Sequence, residues 1–337
     1  MMGKKVVVTG GGGFIGSSLV RQLAAQQAEI TVIDNLVNGK QQNLEQVIGN
    51  QVRLEVADIR DSARMEDLLK GADIVFHLAC LGVRHSLHTP KENHEVNATA
   101  TLGLLALSRQ LDIGRFVYVS SSEVYGTAKW APMTEDHPTM PMTVYGGGKL
   151  AGESYTRAFF ESYEYPTVVV RPFNAFGPRC HHEGDSGEVI PKFMLRCMAG
   201  REMIVFGDGQ QTRDFTYVDD TARGIILAGS TENAVGHTIN LGSGKEITIN
   251  ELADEVRNVV GNTRATIFHD EPRPGDVLRL IAEDSKARNL LDYQPEIGLR
   301  EGLEHLKNWY HSREQKIEKL LEKEVTHNWE ISSPDDE

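Results

Sequence analysis

The chain of 337 residues is poor in cysteine, in basic charge and in long apolar runs, and each shortage excludes a class of protein. Its three cysteines, Cys80, Cys180 and Cys197, are too few for a disulfide framework and too scattered for a zinc spacing. That usage points to a reducing compartment and a cytoplasmic protein. Lysine and arginine number 35 against 48 aspartates and glutamates, giving a formal charge of −13. With no concentrated basic patch, no nucleic-acid partner is expected. No apolar stretch reaches the length of a membrane span, so no membrane partner is expected either. The first strand pattern starts directly after Met1, which leaves no room for a signal peptide. With 40% hydrophobic residues there is still enough apolar side chain for a large core, in one large domain or two smaller ones.

What is present begins with Val6-Val7-Val8-Thr9 and the glycine run Gly10 to Gly13, followed by Phe14, Ile15 and Gly16. β-Branched residues make a short buried strand, glycines turn it, and an apolar run opens a helix. This is the pattern of a phosphate cradle, in which glycines let backbone approach a pyrophosphate and the helix N-terminus offers free N–H donors. Two spellings fit, Gly10-x-x-Gly13-x-x-Gly16 and Gly11-x-Gly13-x-x-Gly16. A second strand pattern, Glu29 to Ile33, ends in Asp34, where an acid accepts hydrogen bonds from an adenosine ribose. Val52–Val56 and Ala72–His77 read as further strands, with a helix from Ser62 as N-cap to Lys70 between them. Strands alternating with helices predict an α/β fold with a doubly wound parallel sheet and ligands at the strands' C-terminal ends. Asp58 and Ile59 are placed to meet an adenine, and Leu78-Ala79 suits backbone passing a cofactor. His77 reads as a satisfied core imidazole, and Gly82–Leu87 as a loop from which Arg84 reaches either a sugar or a surface acid.

A long helical pattern starts at Pro90 and runs through Leu107, with an apolar face wide enough to meet a second subunit of a homodimer. Phe116–Val119 is the fifth strand and runs into Ser120-Ser121-Ser122-Glu123, polar residues at the rim where chemistry is expected. Tyr145 and Lys149 are four apart, on one face of a helix. A tyrosine with a pKa near 10 is a poor base at neutral pH. A neighbouring ammonium and a positively charged nicotinamide would lower that value and make Tyr145 a general acid/base for a sugar hydroxyl. The three glycines between them suggest close packing at the cofactor rather than helix propensity.

These motifs together resemble the extended short-chain dehydrogenase/reductase family, within it the NAD-dependent sugar-nucleotide epimerases and dehydratases. The resemblance runs from Lys4 to about Tyr310 and includes Val96-Asn97, Arg171-Pro172-Phe173-Asn174, Gly177-Pro178-Arg179, Phe206–Gly209, Thr212–Phe215 and Arg273-Pro274-Gly275-Asp276. It implies NAD as cofactor, a small-molecule nucleotide-sugar as substrate, and a Rossmann sheet with a smaller C-terminal substrate-binding lobe. It implies that Ser121, Tyr145 and Lys149 are catalytic, that Lys149 also holds the nicotinamide ribose, and that Asp34 and Asn35 lie at the adenosine. Asn97, with the Leu78-Ala79 backbone, would line the cofactor. Asn174 would approach the sugar or its phosphates, Arg213 and Arg273 would clamp the diphosphate, Phe206 would meet the base and Asp276 the nucleotide ribose. Arg84, Ser122 and Val189 complete the implied substrate contacts. Glu123 matches a glutamate that serves the second step of dehydratases and decarboxylases. Gly82-Val83-Arg84 and the segment from Arg273 to Asp276 look more like UDP-sugar 4-epimerases. The expectation is therefore a UDP-sugar 4-epimerase, with a 4,6-dehydratase or UDP-glucuronate decarboxylase as the alternative. An NAD-binding regulatory module is a remote third reading, and it requires loss of Ser121, Tyr145 or Lys149, all of which are present.

The expected division is an NAD-binding domain over 1–174, to which segments near 212–242 return, a substrate lobe over 175–310, and a charged helical tail with a disordered end over 311–337. His181, His182, Glu183 and Asp185 sit in a polar loop read as a flap over the substrate, and no metal is expected there. Asn250 is expected to cap a helix through Val260. Ile317, Leu320, Leu321 and Val325 recur at helical spacing in the tail, as in a surface helix packed on its own domain.

Overall fold

The computed structural model describes residues 1–184, 186–273, 277–327 and 329. Its first half alternates strands with helices: β1 (Lys5–Thr9), α1 (Phe14–Ala25), β2 (Glu29–Asp34), β3 (Val52–Val56), α2 (Ser62–Leu69) and β4 (Ile74–His77). Two short helices, α3 (Val83–His88) and α4 (Pro90–His94), lead through a π turn at Glu95–Thr99 into α5 (Ala100–Gln110). β5 (Arg115–Val119), the long α6 (Val144–Tyr163), β6 (Thr167–Pro172) and β7 (Asn174–Phe176) follow. Next come α7 (Val189–Met198), β8 (Met203–Phe206), β9 (Thr212–Tyr217), α8 (Val218–Ser230) and β10 (Thr238–Leu241). The chain continues through β11 (Glu246–Thr248), α9 (Ile249–Val260), β12 (Ile267–Asp270), β13 (Arg279–Leu280), α10 (Ser285–Leu291), α11 (Leu299–His311) and α12 (Ile317–Leu321).

Seven strands pair in parallel in the order β10-β6-β5-β4-β1-β2-β3, the doubly wound sheet expected from the alternation. The order reverses between β1 and β4, which opens a crevice at their C-terminal ends. The two-residue period of β1 sets the layers. Val6 and Val8 pack with Leu19 of α1 and Ile225 of α8, while Val7 packs on the other face with Leu104 and Leu105 of α5. A separate core gathers Ile190, Phe193 and Met194 of α7 with Leu252 and Val256 of α9 and Leu303 and Leu306 of α11. Here β9 pairs with β7, β11 and β13, and β8 with β12, so the regular alternation ends where this second core begins.

Several local expectations need correction. Gly82–Leu87 is not a loop: α3 starts at Val83, and the Asn93 side chain ties down the Leu81 and Gly82 carbonyls that precede it. Asp61, not Ser62, caps α2, its carboxylate accepting the Arg64 N–H at 3.0 Å. Thr248, not Asn250, caps α9 in a reciprocal capping box with Glu251, while Asn250 spends its amide on the Asp208 carbonyl. The helical spacing of the tail stops at Leu321. Leu320 and Leu321 are buried in the second core, but the chain then leaves the helix to bridge Glu324 with Gly184, and Val325 is exposed. The expected disordered end lies outside the described residues. His77 is the satisfied imidazole expected, bonded to Thr9 Oγ1 at 2.7 Å and Thr101 Oγ1 at 2.9 Å, and burial pushes its pKa down to about 3.

Candidate active site

A cavity of about 890 Å³ opens over the C-terminal ends of β1, β2, β4 and β5. At its first end the glycine turn comes close to the strand beside it. Gly10 lies at φ +71°, and a Cβ there would stand 2.6 Å from the Ala79 amide nitrogen. Gly13, Phe14, Ile15 and Gly16 line the cavity, and α1 starts with no capping side chain and no acid in its first turn. Its leading N–H groups are thus left to an anion. Asp34, at the end of β2, accepts the Gly12 N–H at 2.9 Å and the Leu36 N–H at 2.8 Å, and burial raises its pKa. Asn35 reaches Asp58, which the Arg60 guanidinium holds below the usual carboxylate range, and Ile59 lies against the same wall. A glycine turn packed against backbone too closely for a Cβ, an uncapped helix start and a buried carboxylate at the end of β2 fit NAD. Leu78 and Ala79 line the next stretch. Asn97 does not line the cavity: it is buried behind the wall and grips both the N–H and the C=O of Leu81 at 2.9 Å.

The middle of the cavity is made by the end of β5 and the start of α6. Thr143 caps α6, accepting the Gly146 N–H at 3.1 Å, which places Tyr145 in the first turn. Tyr145 and Ser121 face the same stretch of the cavity, and Ser121 Oγ accepts the Glu123 N–H at 3.2 Å. Lys149 is buried and donates to the Val119 carbonyl at 2.6 Å, with its ammonium 4.8 Å from the centre of the Tyr118 ring. The expected lowering of the phenol pKa is not a property of the protein alone. Burial pushes Tyr145 well up, and Cys80 and then Glu123 add to that, against the neighbouring Ser121. Burial likewise lowers Lys149. Two of the three glycines between Tyr145 and Lys149 pack closely against neighbouring protein atoms. A Cβ on Gly146 would stand 2.9 Å from the Glu123 carbonyl, and one on Gly148 would stand 3.1 Å from Asn97 Cβ, while Gly147 faces open space.

The far end gathers Arg84, Ser122, Asn174, Val189, Phe206, Arg213 and Arg273, so the sequence-predicted substrate residues share one cavity with the cofactor residues. Asp276 lies outside the described residues. Asn174 lines the cavity, and its buried Oδ1 has no hydrogen-bond partner among the described residues. Arg213 is steadied by the Val277 carbonyl at 2.6 Å, and Arg273 lies over the Phe206 ring. Sequence reasoning missed Glu188, Lys192, Arg196 and Trp329 on this wall. Glu188 and Lys192 are four apart at the start of α7, a spacing that was open to notice. Burial pushes Glu188 up to about 8 and Lys192 down to about 8, Glu324 opposing the latter and Arg273, Arg84 and Arg196 adding to it. In the polar loop, Glu183 pairs with Lys40 and His182.

Residues 6–242 match the NAD dependent epimerase/dehydratase family. The chain is 34% identical over 317 residues to a UDP-glucose 4-epimerase of Mycolicibacterium smegmatis, covering 92% of this chain and all of that one. It is 33% identical over 315 residues to UDP-glucuronic acid decarboxylase 1 of Arabidopsis thaliana, covering 92% of this chain and 70% of that one. Its fold superposes, with a TM-score of 0.85 and 29% identity, on UDP-glucuronic acid 4-epimerase from Bacillus cereus solved with UDP-glucuronic acid and NAD, covering 94% of this chain and 99% of that one. The chain belongs to the NAD dependent epimerase/dehydratase family, and it is an NAD-dependent enzyme acting on sugar-nucleotides.

Proposed function

We propose that the protein is a 4-epimerase of UDP-sugars working through a transient 4-keto-hexose. The observation that carries this reading is that Tyr145, Ser121 and Lys149 line one cavity together with the Gly10–Gly16 turn and with Arg213 and Arg273. Gly10, Gly13, Phe14, Ile15 and Gly16 hold the NAD pyrophosphate, Asp34 and Asn35 the adenosine ribose, and Asp58 and Ile59 the adenine. Leu78, Ala79 and Lys149 hold the nicotinamide end, and Asn97 fixes the backbone behind it. When bound, NAD supplies a hydride acceptor and a positive ring that favours the phenolate. Ser121 orients the sugar 4-hydroxyl, and Tyr145 takes its proton and later returns it to the same oxygen. Arg213 and Arg273 hold the diphosphate, Phe206 the base and Asp276 the ribose. Asn174, Arg84, Ser122 and Val189 bound the sugar and its phosphates. The enzyme is read as a homodimer, supported by Leu102 of α5 and Tyr163 of α6, large side chains left exposed. Its three free cysteines support the cytoplasm as its compartment.

Glu123 supports the second reading, a dehydratase or decarboxylase, because its carboxylate lies close enough to Tyr145 to raise the phenol. Incubation with UDP-, dTDP-, GDP- and CDP-sugars, with products read by mass and NMR, decides between them. The proposal expects a UDP-sugar inverted at C4 with unchanged mass, and Glu123→Gln retaining that activity. Loss of water or carbon dioxide, abolished in Glu123→Gln, establishes the second reading instead.

A further inference from the structure

Beyond α12 the chain turns back along α7 and reaches the far end of the cavity, a path that the family match, ending at residue 242, does not cover. It is pinned there at successive points. The Gly184 N–H donates to the Lys323 carbonyl at 2.7 Å. Glu324 pairs with Arg196 at 2.8 Å, both side chains largely buried, and Lys192 donates to the Val325 carbonyl at 2.7 Å. His327 meets Asp270, at the end of β12, at 2.9 Å. The last described residue, Trp329, then stands edge-to-face with Phe206, ring centres 4.6 Å apart and planes at 89°. The Arg273 guanidinium lies 5.4 Å from the centre of one ring and 5.1 Å from that of the other. Glu324, Thr326 and Trp329 all present surface to the cavity.

Two aromatic planes at a right angle, with the Arg273 guanidinium and the His327 imidazole packed against both, form a corner in the cavity wall against which a flat heteroaromatic ring can stack. The cations beside it, Lys192 and Arg196, are held in place by the tail itself. We propose that residues 322–327, with Trp329, form a wall of the nucleotide end of the substrate cavity, Trp329 and Phe206 making the corner that receives the base of a nucleoside diphosphate. This rests on the reading of the cavity as a nucleotide-sugar site and adds to it a residue from outside the matched family region. A tail that merely plugged the corner would need to release its anchors before substrate entered. Here the anchors include the largely buried Arg196–Glu324 pair and backbone contacts from Gly184 and Lys192, as suits a permanent part of the site.

The test uses the full-length, NAD-loaded enzyme with UDP, dTDP, GDP and CDP as probes, binding being measured by calorimetry. Trp329→Ala is expected to weaken binding of the preferred nucleotide by about tenfold or more, since aromatic stacking on a base accounts for about one such factor or two. Trp329→Phe is expected to restore most of it, and NAD content to stay unchanged in both. In turnover the loss is expected in KM, with kcat retained. Unchanged or tighter nucleotide binding in Trp329→Ala overturns the assignment and leaves the reading of the cavity standing. Failure of all four nucleotides to bind the unaltered enzyme overturns both.

Discussion

At the scale of single residues the chemistry turns on an oxygen in an awkward place. The Tyr145 hydroxyl sits where burial above all holds its proton on, while the neighbouring Ser121 eases its loss. A protein with such a phenol is quiet until a positive charge is brought beside it, so proton transfer is tied to a loaded cofactor site. Tyr145→Phe removes the oxygen alone. It is expected to lower turnover by about 10²- to 10⁴-fold, the usual contribution of a general acid/base. NAD released on denaturation, measured in the same preparation, should be unchanged, and near-normal turnover would defeat the role given to this residue.

At the scale of elements, the helix carrying Tyr145 and Lys149 is bolted to the sheet by a buried ion pair. Arg171 of β6 forks onto Glu153 of α6 with contacts of 2.9 and 2.7 Å, and both side chains are nearly inaccessible. The same guanidinium reaches the Tyr125 hydroxyl at 2.8 Å, and that hydroxyl donates to Asn240 of β10 at 2.7 Å. Removing one partner strands a charge inside. Arg171→Ala is therefore expected to destabilise the protein by about 3–5 kcal/mol in urea unfolding. The double replacement Arg171→Met, Glu153→Leu should recover much of that loss, because neither of the two buried charges is then left without its partner. Elements were legible where their signals are local. The valines and glycines of Val6–Gly16 announce strand, turn and helix within a dozen residues, and Asp34 follows one strand later. The caps were misread by one or two positions, since Asp61 and Ser62, or Thr248 and Asn250, are equally good capping side chains until the backbone selects one. Trp329 was not legible at all. Its meaning depends on Phe206 and Arg273, far away in sequence, and nothing in the spacing of the tail foretells their meeting.

At the scale of the whole molecule, the buried His77 and the half-buried Glu188 of the cavity wall set opposing pH dependences. His77 has its pKa pushed down to about 3, so between about 6.5 and 3 the unfolded chain takes up a proton that the folded one refuses. Stability from this group falls as the pH drops through that window, by up to about 1.4 kcal/mol per pH unit. Glu188 is pushed up to about 8, so between its ordinary value near 4.5 and 8 the folded chain keeps a proton that the unfolded one has lost. Its contribution falls as the pH rises. Unfolding midpoints measured from pH 4 to pH 9 without nucleotide-sugar should show His77→Asn flattening the acid limb and Glu188→Gln flattening the limb above pH 6.5. The seventh strand of the sheet carries one more consequence. β10 closes the sheet beside β6, yet it comes after β7, β8 and β9 in the chain. During synthesis the outer edge of β6, residues 167–172, stays bare while some seventy further residues emerge from the ribosome. A nascent chain stalled in that interval exposes a row of unmet backbone donors and acceptors on valine-rich strand, a natural point of capture for chaperones and of self-association when they are scarce.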